Sequence, residues 1–359
     1  MQLHITSFGT YLHVKDAMFD VRRKGDDGKL VSKTYSAEKV THILLATGTS
    51  LSTDAVRLAM RHNVDLVFIE QQGDPIGRVW HAKLGSTTRI RKRQLEASLG
   101  PEGLRWVRAW LLAKLDNQTG LIRGLKKHRV QHTDFLDDKI TRLEALALSI
   151  STLTSPEGRT APVDRPEGRT TCVADVADTL RGLEGTAGRL YFETLSYVLP
   201  PDYRFAGRSS RPAQDAFNAF LNYAYGMLYG KVEKTLMIAG LDPYLGFLHR
   251  DDYNQLSMVY DFIEPYRGWA DEVVFRLFTG KKVAKSHVGE GSGARTQGVS
   301  LNTDGKALLV NAFNEFMDND PVRYRGRNLA RSHCMQYDAH QFANELIGKT
   351  GGSPEQLTL

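Results

Sequence analysis

Residues 41–71, THILLATGTSLSTDAVRLAMRHNVDLVFIEQ, place two apolar runs of strand length on either side of a short amphipathic helix. THILLAT and DLVFIEQ are rich in residues that favour a pleated surface, and Gly, Ser, Asn and Asp bound them. Between them, STDAVRLAMRH offers Ser52 or Thr53 as an N-cap, with Val56, Ala59 and Met60 on one helical stripe. Upstream, LHITS, TYLHVKD, AMFDVRR and LVSKTYS have the same strand character and are separated by clusters such as KGDDGK. Residues 1–80 therefore predict a small β-rich domain interrupted by one helix.

Beyond residue 100 the period changes to that of a helix. GLRWVRAWLLAKL keeps Leu104, Val107, Leu111 and Leu115 on one face, which leaves Arg105, Arg108 and Lys114 for the others. Pro101 stands near a helix start, and ITRLEALALSIS and AFNAFLNYAYGMLYGKVEKTLMIAG continue the pattern. The expected fold is α+β in two domains, with the β-rich domain at 1–80, a basic linker at 81–100 and a larger all-α domain at 101–359. A length of 359 residues with 41% hydrophobic content suits two cores.

The net charge of +6 is unevenly spread. From Arg78 to Arg129 there are 13 Lys or Arg against three acids, a local balance of +10 that leaves the rest of the chain at −4. The densest part, TTRIRKRQLEA, contributes Arg89, Arg91, Lys92 and Arg93. Such a run is either a solvated face or the footprint of a phosphate-binding protein, and with Arg105 and Arg108 it is the candidate DNA track. No apolar run reaches membrane-spanning length and the first residues lack the order of a signal peptide, so a cytoplasmic protein is expected. Cys172 and Cys334 are far apart and in no metal-type spacing, which predicts two reduced, packed thiols rather than a disulfide or a zinc cluster.

The pentapeptide PEGRT occurs twice, ten residues apart, within residues 156–170. A Pro/Gly-rich piece with no apolar period predicts an exposed loop, and two short copies are too few for a solenoid.

Ligand-type side chains collect in the second half of the chain. Glu184 lies in the otherwise apolar helix VADTLRGLEGTAGRLYFETLSYVLP, next to Gly185 and four residues before Gly188. Glycines there cost about 1 kcal/mol each against alanine, which points to a packing or an access requirement. His249 ends the apolar run YLGFL and is either a core histidine or a ligand. Asp261 and Glu264 share a helical face in VYDFIEPYR, and Pro265 pins the backbone beside them. By themselves they read equally as ligands or as acids favoured at a helix start.

The strings LEGTAGRLYF, RPAQDAFNAFLNYAYGMLY, AGLDPYLGFLH and YDFIEPYR, in that order, resemble the motifs of the CRISPR-associated integrase family, the universal spacer-acquisition endonuclease of prokaryotic adaptive immunity. TGTSLSTDAVRLA and GVSLNTDGKALLVNAFNEFM extend the likeness over nearly the whole chain. Gly188 stands where alanine is common, Tyr266 where phenylalanine is common, and the PEGRT segment has no match.

The resemblance implies that Glu184, His249 and Glu264 bind a divalent metal, Mg²⁺ or Mn²⁺, which suits two carboxylates and an imidazole. The implied reaction is insertion of short double-stranded DNA into a CRISPR array, the 3′-hydroxyl of the incoming end attacking a repeat phosphodiester. It needs no covalent enzyme intermediate, which agrees with a region that has no obvious activated Ser or Cys. Asp261, Asn218, Tyr225 and Tyr191 are candidates for supporting the ligands or positioning DNA, although core packing explains the two tyrosines equally. A homodimer through the first domain, and a small ferredoxin-like acquisition partner that bridges two dimers into a hetero-hexamer, are also implied. A non-catalytic nucleic-acid-binding scaffold would share the basic stripe without needing Glu184, His249 and Glu264 together. A di-metal helical protein would need Glu-x-x-His pairs, which do not occur around Glu184 or Glu264.

Overall fold

A computed structural model of the chain describes residues 2–25, 28–40, 42–62, 64–69, 75–79, 87–153, 171–210, 212–249, 255–293 and 296–349. The PEGRT segment at 156–170 lies outside them. The chain divides into two compact units, Met1–Gly85 and Ser86–Leu359.

In the first unit the strands form two four-stranded sheets. β2 (Tyr11–Lys15), β3 (Met18–Lys24) and β4 (Leu30–Ser36) make an antiparallel meander, and the short β6 (Ser50–Leu51) pairs parallel with β2. β1 (Gln2–Ile5), β5 (His42–Ala46) and β7 (Asp65–Ile69) run parallel, and β8 (Pro75–Val79) closes the edge antiparallel to β7. The opening stretch is thus a strand, helix, strand crossover, the connection that parallel neighbours require. Its helix, α1 (Thr53–Arg61), is capped by Ser52, whose hydroxyl accepts from the Ala55 amide at 3.1 Å. Leu12, Phe19, Ile43, Ala55, Ala59 and Leu66 form the core of the unit.

The second unit is predominantly helical. Its helices are α2 (Thr87–Ser98), α3 (Pro101–Lys126), α4 (Thr133–Thr152), α5 (Val173–Val198), α6 (Ala216–Ile238), α7 (Ser257–Phe262), α8 (Arg267–Thr279), α9 (Thr303–Asn314) and α10 (Arg331–Leu346). Two hairpins interrupt them, β9 (Val288–Gly293) with β10 (Thr296–Leu301) and β11 (Val322–Tyr324) with β12 (Arg327–Leu329). Trp110 of α3 lies at the centre of an aromatic cluster with Trp106, Phe247, Phe262 and Phe342, which joins α3, α7, α10 and the turn before His249.

The basic segment expected as a linker contains α2, and that helix belongs to the second unit. Charge counting concealed its buried side. Ile90, Gln94 and Ala97 turn inward, and Gln94 is fully buried. Its amide donates to the carbonyls of Asp242 and Leu245 at 2.9 Å each and accepts from the Asp242 amide at 2.9 Å. A buried primary amide with both ends satisfied fixes the loop ahead of His249.

Candidate active site

Four elements bring charged groups together. Glu184 is in the middle of α5, Lys114 on α3, Glu264 in the 3₁₀ turn Glu264–Tyr266 between α7 and α8, and Arg267 at the start of α8. Pro265 cannot donate a backbone hydrogen bond, so the chain turns there instead of running α7 straight into α8. Asn117 of α3 holds the turn by donating to the Pro265 carbonyl at 2.8 Å.

The Lys114 ammonium pairs with Glu184 Oε1 and lies 2.6 Å from Glu264 Oε2. Arg267 Nε takes the other Glu264 oxygen, Oε1, at 2.8 Å. Its guanidinium lies over the rings of Tyr225 and Tyr229 and donates to the Tyr229 hydroxyl at 3.2 Å. Lys114 and Glu264 are only 5% and 6% exposed, whereas Glu184 is 34% exposed, so the pair opens toward solvent on the α5 side. Burial alone would raise the Glu264 carboxyl, but Arg267 and Lys114 outweigh it and hold the group at about 2. Lys114 lies off the apolar stripe of Leu104, Val107, Leu111 and Leu115, as its spacing predicts. It is nonetheless buried, because two carboxylates satisfy its charge.

His249 is anchored separately. Gly246 passes so close to Ser257 that a Cβ on it would lie 2.5 Å from the Ser257 Cβ, and the chain can then turn back over α7. There the buried Asp261 carboxylate accepts from three successive backbone amides, those of Phe247 at 2.5 Å, Leu248 at 2.9 Å and His249 at 3.2 Å. His249 Nδ1 lies 2.5 Å from Asp261 Oδ1. With Nδ1 engaged, Nε2 is the nitrogen left for a ligand, the second-partner arrangement usual for a metal-binding histidine. Arg181, one turn before Glu184 on α5, donates to the Leu248 carbonyl at 2.6 Å and ties this turn to the helix that carries the glutamate. The ring of His249 is 35% exposed.

Asp261, a candidate for supporting the ligands or positioning DNA, is hydrogen-bonded to the His249 ring and to the turn that carries it. Tyr225 donates to Asp271 Oδ1 at 2.6 Å, and Tyr191 is fully buried on α5. Burial raises Asp271 to about 6 against the opposing pull of Tyr225, Tyr191, Arg267 and Lys114. Asn218 faces elsewhere. It clamps the loop before α6, accepting from the Ser209 amide at 3.0 Å and from Arg208 at 3.1 Å while donating to the Gly207 carbonyl at 2.9 Å. Arg208 in turn lies over the rings of Phe192 and Tyr225, which is the only route from Asn218 to the acid cluster that these contacts provide.

On the outer face of α5, a Cβ added at Gly185 or Gly188 would meet nothing within 4 Å. Among the described residues no neighbouring helix packs against these glycines closely enough to require them.

Lys114, Arg267, Asp271, Gln94 and Arg181 were not singled out from the sequence. Arg267 had a signal, since it follows Glu264 by three residues in EPYR. Lys114 had one too, as the lone cation inside WLLAKL.

Beyond the site, Tyr266 donates to Asp338 Oδ2 of α10 at 2.8 Å, the Tyr324 hydroxyl pairs with Oδ1, and Arg325 stands 3.6 Å away. Burial raises the Asp338 carboxyl to about 6 in spite of these partners. The candidate DNA-binding cations line α2 and α3. Arg89 donates to the Ile347 carbonyl at 3.1 Å, Arg91 is 3.7 Å from Asp242, Arg93 pairs with Glu96 at 2.6 Å and Arg105 is 3.6 Å from Glu345. Lys92 is exposed, and Arg108 is half-buried with its pKa lowered by burial.

Two carboxylates from different elements that already share one cation, and a histidine oriented through Nδ1, are of the donor types that suit a hard divalent ion. Among the described residues, however, no three His, Cys, Asp or Glu side chains gather closely enough to hold a metal. Glu184 and Glu264 meet across Lys114, and His249 rests on Asp261.

The chain resembles known proteins over nearly its whole length. Residues 3–315 match the family profile described as CRISPR associated protein Cas1. The CRISPR-associated endonuclease Cas1 1 of Archaeoglobus fulgidus is 30% identical over 356 residues, 97% of each chain. Among solved structures, a casposase bound to integration product superposes with a TM-score of 0.75 at 20% identity, covering 99% of this chain and 93% of that one. A Cas6-RT-Cas1–Cas2 complex gives 0.71 at 18% identity over 99% of this chain and 36% of that longer one. The chain belongs to the Cas1 family of CRISPR-associated proteins.

Proposed function

We propose that this chain is a divalent-metal-dependent DNA endonuclease and integrase that inserts short double-stranded DNA into a CRISPR array. The observation that carries the reading is the convergence of Glu184 and Glu264 on one cation, with the imidazole of His249 fixed on Asp261. Bound there, Mg²⁺ or Mn²⁺ supplies Lewis-acid polarisation of the scissile phosphate. Glu184 and Glu264 would hold the ion, His249 would offer Nε2, and Asp261 keeps that imidazole from turning. The open face of α5 around Gly185 and Gly188 lets a phosphodiester approach Glu184. Arg89, Arg91, Lys92, Arg93, Arg105 and Arg108 track the DNA backbone, a positioning role separate from the chemistry.

Membership of the Cas1 family and the likeness to a Cas1–Cas2 complex support assembly with a small ferredoxin-like acquisition partner. In this reading, homodimers formed through the first unit are bridged by the partner into a hetero-hexamer that works in the cytoplasm on double-stranded DNA. Among the described residues, no helix is long and apolar enough to cross a membrane.

The test is strand transfer of a short duplex into a repeat-containing target with Mg²⁺ or Mn²⁺. Glu184→Ala, His249→Ala and Glu264→Ala should each abolish product while DNA affinity persists. Activity near wild type in any of the three removes that residue from the metal site.

A further inference from the structure

We propose that Lys114 and the divalent ion are alternative occupants of the space between Glu184 and Glu264, so that Lys114 sets how tightly this chain binds its metal. The inference rests on the metal-dependent reading above. Its basis is the allocation of oxygens on Glu264. Arg267 holds Oε1 at 2.8 Å, and Lys114 holds Oε2 at 2.6 Å while also pairing with Glu184. Neither oxygen of Glu264 is without a cation, and an ion shared by the two glutamates has to take over a position that a cation already fills.

The two cations are not equally able to yield. The Arg267 guanidinium is planar, lies over Tyr225 and Tyr229, and bonds the Tyr229 hydroxyl, so several contacts hold it in place. Lys114 has a point charge on a flexible four-carbon stem, and its ammonium contacts are the two glutamates themselves. A divalent ion beside that ammonium in a buried setting would repel it strongly. Metal entry therefore exchanges one cation for another while Arg267 stays. In the metal-free chain Lys114 keeps two neighbouring carboxylates from repelling each other and holds them facing, which preserves the site's shape until the ion arrives.

The exchange has a thermodynamic consequence. Metal affinity is reduced by the fraction of molecules in which Lys114 occupies the gap, and a neutral side chain at position 114 removes that competition. The experiment is Mn²⁺ binding to the full-length chain by calorimetry and by the electron paramagnetic resonance signal of free Mn²⁺, comparing wild type with Lys114→Gln, alongside melting with and without Mn²⁺. The variant should bind Mn²⁺ about tenfold more tightly or better. It should also melt lower than wild type without metal and recover when Mn²⁺ is added. Unchanged or weaker affinity in a variant that still melts cooperatively overturns the exchange while the metal site itself stands. Failure of Mn²⁺ to bind either protein overturns both readings. Should Lys114→Gln not fold without metal, a crystal structure of Mn²⁺-loaded wild type decides the question. An ammonium withdrawn from both glutamates supports the exchange, and an ammonium still bonded to both beside the ion overturns it.

Discussion

Asp261 holds His249 twice, through the imidazole Nδ1 at 2.5 Å and through the backbone amide at 3.2 Å. The same carboxylate takes the amides of Phe247 and Leu248, so one buried acid fixes both the path of the turn and the nitrogen that the imidazole presents. Glu264, three residues further along, faces Lys114 and Arg267 instead. The i, i+3 pair visible in the sequence therefore divides into an acid that anchors the His249 turn and an acid that pairs with two cations.

Replacing Asp261 with alanine should cost stability and activity together. Two buried amides and one partly buried amide lose their acceptor, and an unsatisfied buried donor costs about 1 to 3 kcal/mol, so a total loss of about 2 to 4 kcal/mol is expected after partial relaxation. Strand transfer should fall by about 10- to 100-fold, as for other partners of metal-binding histidines. Urea denaturation and an integration assay on one preparation check this. An Asp261→Ala protein with wild-type activity would mean that His249 needs no such anchor.

Gln94→Ala should behave as a structural lesion remote from the chemistry. Its amide makes three hydrogen bonds to the 242–245 loop, and their loss should lower stability by about 2 kcal/mol. The salt dependence of DNA binding should stay as in wild type, since no charge is removed. Unchanged melting would show that α2 is not fastened through this residue.

How far the sequence was legible follows from which interactions are local. Six of the strands within residues 1–80 and a cap at Ser52 or Thr53 are set by neighbours a few positions away and read from period and cap chemistry, whereas the short β6 and the edge strand β8 did not. The family motifs around Glu184, His249 and Glu264 were legible as strings. What the strings did not contain is the pairing of Lys114 with glutamates 70 and 150 positions away, which only the packing of α3 against α5 and the Pro265 turn creates. The helix at Thr87–Ser98 was obscured for a related reason. Its charge density reads as a solvated linker, and the single amide that docks it finds its partners 148 and 151 residues further on.

Asp338 should give the protein a pH dependence that Asp338→Asn lacks. Burial raises its carboxyl from 3.8 to about 6, so the folded state binds this proton more tightly than the unfolded chain. The stability it adds is complete below about pH 4 and is lost as pH rises through about 6, a change on the order of 3 kcal/mol. Denaturant titrations between pH 4 and pH 7 on wild type and Asp338→Asn isolate the contribution, because the other acids titrate in both. Parallel stability curves across that window would mean that Tyr266, Tyr324 and Arg325 compensate the burial fully.

The basic face of α2 should act through salt rather than through turnover. Arg89, Arg91 and Arg93 have partners within the chain, the Ile347 carbonyl, Asp242 and Glu96, whereas among the described residues Lys92 has none. The ion pairs of Arg91 and Arg93 are largely exposed and worth only about 0 to 1 kcal/mol, so a DNA phosphate can replace those internal partners at small cost. Lys92→Gln alone should flatten the plot of log affinity against log salt by about 0.9. Neutralising Arg89, Arg91, Lys92 and Arg93 together should flatten it by about 2 or more, and weaken unrelated duplexes equally, because phosphate contacts carry no sequence information. Glu184→Ala and His249→Ala should keep the wild-type slope and lose turnover, and Glu264→Ala should do the same at lower stability, because its removal leaves the buried Lys114 and Arg267 without that carboxylate. If the quadruple variant has the wild-type slope and affinity from low to moderate salt, the internal pairs are the whole role of these cations. The DNA track would then lie on another face of the helical unit, with the Arg204–Arg208 loop and Lys281–Lys285 the next segments to neutralise.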